Sequence, residues 1–372
     1  MSSLQPAAYA RFRATSRFGC LDGLRALSVL AVIWAHTGGG MVALRWGQFG
    51  HHGVTLFFAI SGFLITTLLL REHDRCGTID LRAFYVRRSL RIFPLYYAVL
   101  MLYVVLVFVL ERSSPVGREF FSNLKYFATY TSNLFVPLDG RTIFYFSWSL
   151  AAEEQFYLLW PPLLKRLGTR TRGLAVAAGI VLTLALSELV LPHFLHADAA
   201  VRFQAGLHKV PLAILAGVVA ALVLHDERSF SRWWPWLAGS RWHSLFWMAV
   251  AAVCLQLDGQ LPWSVLHIAL ALLVAACCMR EDHALARALR LAPVAYVGSI
   301  SYGLYLLHML SKNVALKIAD AGGLALGPGA LFLATTAIAI VAAGASFRWY
   351  ESRFLAMKVR FEPRLAQSTQ PA

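Results

Sequence analysis

SNLKYFATYTSNLFVP, residues Ser122 to Pro137, decides how this chain is threaded. The stretch is apolar enough to pass for a membrane crossing, but it is short and carries Asn123, Lys125 and Asn133. Such polar groups are costly in hydrocarbon unless they face protein or water. Ten cleaner apolar segments surround it, near 24–38, 53–70, 92–110, 147–164, 174–191, 209–224, 243–257, 261–279, 294–314 and 326–346. A bilayer core about 30 Å thick takes about 20 helical residues to cross. If 122–137 crosses, the two ends of the chain lie on opposite sides; if it does not, they share a side.

The basic residues choose between these threadings. With ten crossings and both ends cytoplasmic, most of the 34 lysines and arginines fall on the cytoplasmic side, as the positive-inside rule requires. An eleventh crossing at 122–137 would move the clusters Lys165–Arg172, Arg228–Arg241, Arg280–Arg290 and Arg348–Arg364 outside. The expectation is therefore all-α: a polytopic membrane helix bundle of about ten transmembrane helices, with a short re-entrant or interfacial segment near 122–137. It would sit in the cell (inner) membrane as a cytoplasmic tail over 1–20, a membrane-embedded body over 21–350 and a cytoplasmic tail over 351–372. Arg11, Arg13 and Arg17 precede the first apolar run with no compact apolar core and cleavage site, so that run reads as a retained helix rather than a signal peptide.

Composition agrees. Of the 372 residues, 58% are hydrophobic and only 14% charged, unlike a soluble globular protein. The net charge of +15 lies in short clusters between apolar runs rather than on one surface, which argues against a nucleic-acid partner. The cysteines, Cys20, Cys76, Cys254, Cys277 and Cys278, are odd in number and contain no CxxC, so neither a disulfide framework nor a metal site is expected. No internal repeat is visible, which removes the main pointer to an inverted-repeat transporter.

Several ionisable residues interrupt the apolar runs. In LDGLRALSVLAVIWAH, Leu21 to His36, Arg25 and His36 share one helix face about 16 Å apart along the axis. Ionisable groups inside a bilayer usually face the bundle interior and mark function; the alternative is a snorkelling arginine and a packed histidine. In SWSLAAEEQFYLLWP, Ser147 to Pro161, Glu153 and Glu154 fall at a depth close to that of His36. One of these carboxylates beside His36 would fix its tautomer and stabilise the cation it becomes as a base. Adjacent residues point about 100° apart on a helix, so only one is expected to face it. In RAFYVRRSLRIFPLYY, Arg82 to Tyr97, Arg88 and Arg91 stand one turn apart with Arg87 alongside, a fork suited to phosphate oxygens, although basic clusters also anchor topology.

Together with FFAISGFLI (Phe57–Ile65), SYGLYLLH (Ser301–His308) and the terminal RWYES (Arg348–Ser352), these residues resemble the acyltransferase-3 family of integral-membrane acyltransferases. The likeness spans some 330 residues in order and spacing. Ala26 departs from a glycine often found after the arginine, and Arg353 from a proline often found after the terminal glutamate. The resemblance implies transfer of an acyl group, usually acetyl, from cytoplasmic acyl-CoA to a hydroxyl of a sugar, glycan or macrolide-type acceptor, as in polysaccharide modification. It makes His36 the catalytic histidine and Arg25, Arg88 and Arg91 handlers of the donor, to which the fork adds Arg87. Acyl-CoA is then a substrate, with no permanently bound cofactor. Some relatives carry an extracytoplasmic hydrolase-like domain, for which this chain has no room, so it is expected to act alone.

The expected mechanism brings donor and acceptor together inside the bundle, with His36 taking the proton of the acceptor hydroxyl, oriented by Glu153 or Glu154. Ser61 and Gly62 are expected either to line an acyl tunnel or to let helices approach closely. Tyr302 and His308 either line the site or make ordinary interhelical bonds. His51 and His52 read as solvated loop histidines, and Trp233–Trp236 with Trp242–Trp247 as an interfacial aromatic belt. The competing function is a proton-coupled transporter using a buried His36 and Glu153 relay, which leaves the arginine fork without a purpose.

Overall fold

The computed structural model describes residues 4–15, 17–38, 50, 52–137, 142–168, 170–190, 194, 211–257 and 260–361. Among these, helices carry the architecture and no β-strand forms. Five helices are long and apolar enough to span a bilayer: α2 (Gly19–His36), α3 (His52–Cys76), α4 (Leu81–Leu110), α8 (Arg170–Val190) and the continuous run Pro328–Lys358. That run consists of α16 (Pro328–Ser346), a π-helical turn at Phe347–Glu351 and α17 (Ser352–Lys358). The shorter apolar helices α9 (Leu212–Leu224), α11 (His243–Gln256) and α12 (Trp263–Met279) add to them. Two further helices of spanning length, α7 (Ser147–Leu167) and α15 (Ser301–Ala321), carry ionisable residues in their interiors. Apolar side chains are turned outward on several of these helices, as at Val109 and Val341, 70% and 73% exposed. Such surfaces are unfavourable in water and suited to lipid, and the chain is a multi-pass membrane protein.

Two compact units emerge. The first comprises Met1–Leu70, Thr169–Leu207 and Pro211–Gly344; the second comprises Arg71–Gly168, His208–Val210 and Ala345–Ala372. Within the first, α12 is buried nearly all round between α9 and α11, as expected of a helix apolar on every face. Its first amides, at Trp263 and Ser264, donate to the carboxylate of Glu188 from α8. This satisfies donors that a helix start leaves unpaired and accounts for an acid in an otherwise apolar helix. The short α1 (Leu4–Ala14) and the amphipathic α10 (Glu227–Leu237) also pack in this unit, where the tilted rings of Phe12 and Phe230 lie 5.3 Å apart.

The apolar run 294–314, expected as one crossing, is broken. A short α14 (Ala292–Ser299) ends at Ile300 and α15 begins at Ser301. Before the break, α14 packs tightly on α2 at Gly298, where a Cβ would come 1.8 Å from the carbonyl oxygen of Asp22. Only glycine permits this approach of α14 to the start of α2. The preceding α13 (Ala286–Leu289) also packs on α2.

In the second unit, no single helix runs through 122–137. The helix α5 (Pro115–Ala128) ends, the chain turns at Tyr130 with φ 53°, and a four-residue α6 (Ser132–Phe135) follows. Its polar groups find protein partners. Asn133 and Gln155 of α7 exchange amide hydrogen bonds at 3.1 and 2.9 Å. The hydroxyls of Tyr96 and Tyr97 on α4 donate to the carbonyls of Phe127 and Ala128 at 2.7 and 2.9 Å, capping the end of α5. Asn123 is buried in the same unit.

Candidate active site

His36 closes α2 and reaches an element far away in sequence. Its Nδ1 lies 2.9 Å from the carbonyl oxygen of Val32 and 3.2 Å from Nε2 of His308 on α15. The two rings tilt at 43° with centroids 4.9 Å apart. His308 is fully buried, and its own Nδ1 lies 2.5 Å from the carbonyl of Tyr305. One turn further along α15, the ammonium of Lys312 donates to the carbonyl oxygen of His36. Tyr305, His308 and Lys312 fall at i, i+3 and i+7, so α15 presents them to the end of α2 as one stripe. The last carbonyls of a helix lack intrahelical partners and carry partial negative charge, which a cation there satisfies. His36 and His308, read separately in the sequence, are thus one pair. Lys312 was missed, although its signal was present as a lysine one turn beyond a histidine in an apolar helix.

Arg25, on the same helix as His36, donates to Asp22 at 3.2 Å, and Arg17 reaches the other oxygen of that carboxylate. Asp22 is 8% exposed and holds the two arginines at the start of α2. It too escaped the sequence reading, which took only Arg25 and His36 from this stretch.

The remaining charged candidates lie in the second unit. Arg87 is committed: its guanidinium bonds Glu72 at 3.0 Å and the carbonyl of Phe361 at 2.6 Å. The other oxygen of Glu72 accepts the amide of Asp80 at 2.8 Å. Arg88 instead lays its guanidinium 4.3 Å from the ring centre of Tyr157, whose hydroxyl donates to Glu153. A cation on the face of a phenol that bonds a carboxylate makes a polarised chain within a mostly apolar helix pair. Glu154 is half-buried beside it. Arg91, one turn along α4, acts electrostatically on Glu351 in the π-helical turn. Tyr350 of that turn donates to the carbonyl of Pro94 at 3.2 Å. The RWYES motif is thereby seated against the arginine-bearing end of α4.

Lesser candidates resolve individually. Gly62 is a packing residue, since a Cβ there would meet the carbonyl oxygen of Ile214 at 1.9 Å, while Ser61 and Tyr302 are half-buried. His52 is not a solvated loop histidine: it begins α3, is 5% exposed, and meets the edge of Trp263 at 5.9 Å. His51 lies outside the described residues. Trp233, Trp236 and Trp242 are exposed, as an interfacial belt requires. All five cysteines are free thiols, and among the described residues no cluster of His, Cys, Asp or Glu is arranged to hold a metal ion.

Comparison with known proteins gives the chain a family. The model of the acyltransferase-3 family, described as an acyltransferase domain, matches residues 18–347. The "Putative peptidoglycan O-acetyltransferase YrhL" of Bacillus subtilis is 29% identical over 305 residues, 77% of this chain and 47% of that protein. The peptidoglycan O-acetyltransferase OatA of Listeria monocytogenes is 36% identical over 159 residues, 39% of this chain and 24% of that protein. The chain therefore spans less than half the length of these curated relatives. No solved structure matches. Nothing in these matches supports the transporter reading. With nearly the whole membrane-embedded body matched, the chain belongs to the acyltransferase-3 family of membrane acyltransferases.

Proposed function

We propose that this protein is a membrane O-acetyltransferase that moves an acetyl group from acyl-CoA, supplied on the cytoplasmic side, to a hydroxyl of a cell-wall glycan. The relatives' names point to peptidoglycan as the acceptor class. The observation that carries the reading is the seating of His36: an imidazole at the end of an apolar helix, held through Nδ1, in a chain of this family. In the reaction the acceptor oxygen attacks the thioester carbonyl as His36 takes the hydroxyl proton. The carbon–sulfur bond breaks, and the proton passes to the departing thiolate to give free CoA. Glu153 or Glu154 offsets the positive charge that His36 acquires. Arg25, Arg88 and Arg91 handle the donor's phosphates, and Arg87, tied to Glu72, contributes by fixing the base of α4. Ser61, Tyr302 and His308 belong to the site lining. The topology that serves this chemistry has ten crossings, a re-entrant or interfacial segment at 122–137 and both ends in the cytoplasm.

The test is transfer of labelled acetyl from acetyl-CoA to peptidoglycan fragments by the purified protein in lipid nanodiscs. His36→Ala is expected to lower the rate by about 10²–10⁴-fold, the usual range for a lost general base. Arg88→Ala with Arg91→Ala is expected to raise the donor KM. Wild-type protein neither stabilised by acetyl-CoA nor able to transfer its acetyl group would refute the reading. A labelled acyl-enzyme trapped with donor alone would replace direct attack by a two-step route.

A further inference from the structure

Two rings and two carbonyl oxygens meet at the end of α2, and these contacts place the hydrogens of the neutral rings. Carbonyl oxygens only accept, so His308 Nδ1, 2.5 Å from the Tyr305 oxygen, carries the proton of that ring. The other nitrogen of a neutral His308, Nε2, is then an acceptor. It faces Nδ1 of His36 at 3.2 Å, and the Val32 carbonyl faces the same atom at 2.9 Å. With two acceptors aimed at it, His36 Nδ1 carries the hydrogen. The unprotonated nitrogen of His36 is therefore Nε2.

We propose that His308 is a positioning residue of the catalytic histidine: its Nε2 lone pair, together with the Val32 carbonyl, holds His36 in the Nδ1–H tautomer and directs Nε2 to the substrate proton. This rests on the base role given to His36 above. When Nε2 takes the proton, Nδ1–H of the resulting cation still has the Val32 carbonyl and the His308 lone pair as its acceptors. In a serine-hydrolase triad an acid fills this place; here it is filled by a second imidazole, fully buried and incapable of a permanent negative charge. Lys312 holds the same turn from the backbone side through the His36 carbonyl, which keeps the ring over α15 while its own charge is spent on the helix end.

Conservative substitutions separate the two ends of His308. Gln places an amide oxygen near the position of Nε2 and so keeps the acceptor, whereas Asn places its amide near Nδ1 and keeps only the bond to Tyr305. His308→Gln is expected to retain kcat within about 10-fold, and His308→Asn to lose on the order of 10²-fold in kcat with the donor KM unchanged, the scale of a misplaced general base. Nitrogen-15 spectra of histidine-labelled protein, assigned with His36→Gln, provide a readout independent of turnover. Wild-type His36 should show a protonated Nδ1 and an unprotonated Nε2, and His308→Asn should shift its Nδ1 signal. Equal kcat in the Gln and Asn variants overturns the proposal. So does a wild-type His36 protonated on Nε2, which would leave the base role intact and return the positioning task to a carboxylate. Transfer that survives in His36→Ala sinks the base role itself, whatever the spectra show.

Discussion

Arg87 and Arg88 adjoin in sequence yet meet opposite surroundings. Arg87 closes a buried ion pair with Glu72, the two side chains 14% and 6% exposed. Arg88 lies on an aromatic face. Breaking a buried pair by removing one partner leaves an uncompensated charge, so Arg87→Ala should cost about 3–5 kcal/mol. Arg88→Ala should cost no more than about 2 kcal/mol, the upper range of a cation–π contact, and should act mainly on donor binding. Unfolding of both variants in mild detergent, with acetyl-CoA titrations, checks this; equal destabilisation would show that the two arginines share one role. Arg88 and Arg91 with Arg87 alongside read as a phosphate fork, and the sequence offered no sign that Glu72, fifteen residues before Arg87, would claim that residue. His36 is the opposite case: it and His308, 272 positions away, both stood out in apolar runs, but nothing in the sequence paired them.

Among the elements, α14 and α10 owe their places to single residues. In Gly298→Ala the new methyl would meet the Asp22 carbonyl, forcing α14 from α2. Overpacking of this kind costs about 1–3 kcal/mol, and because Asp22 holds Arg25, the donor KM should rise with it. A thermal melt and a donor titration of this variant test both halves, and unchanged values would mean that the helices separate freely. Asp226 caps α10 by accepting the Ser229 amide at 3.0 Å and its hydroxyl at 2.9 Å. The Ser229 amide, helped by its hydroxyl and by Arg170, holds this carboxyl below the usual aspartate range. A lowered folded value means that the contribution is complete above the ordinary pKa and is lost as pH falls through the lower one. Asp226→Ala should therefore weaken α10 by about 0.5–2 kcal/mol at neutral pH, with the difference from wild type vanishing only in strong acid. Hydrogen exchange of the α10 amides against pH measures it. Caps and glycines such as these are written locally; what they abut is not, and so 294–314 read as one helix when it is two.

For the molecule as a whole, the controlling quantity is the placement of positive charge along an apolar chain. If ten crossings with inward basic clusters are correct, fluorescent reporters fused at either end should fold in the cytoplasm. A cysteine placed at Gln260, in an outer turn of that topology, should label from outside in intact cells. A reporter at one end that fails to fluoresce would make the crossings odd in number and bring 122–137 back as a span. Membrane residence, the all-helical class and the prominence of His36 and the arginines were legible in the sequence, because hydropathy, helical period and charge bias are properties of consecutive residues; the family was legible through the resemblance of ordered motifs. Contacts between residues remote in the chain were decided only when the helices packed: the Asn133–Gln155 exchange that makes a polar stretch tolerable, the Glu72 claim on Arg87, and the His308 ring set against His36. Each depends on which faces meet across tens to hundreds of intervening residues, and a helix's sequence states what its faces carry without stating what they will touch.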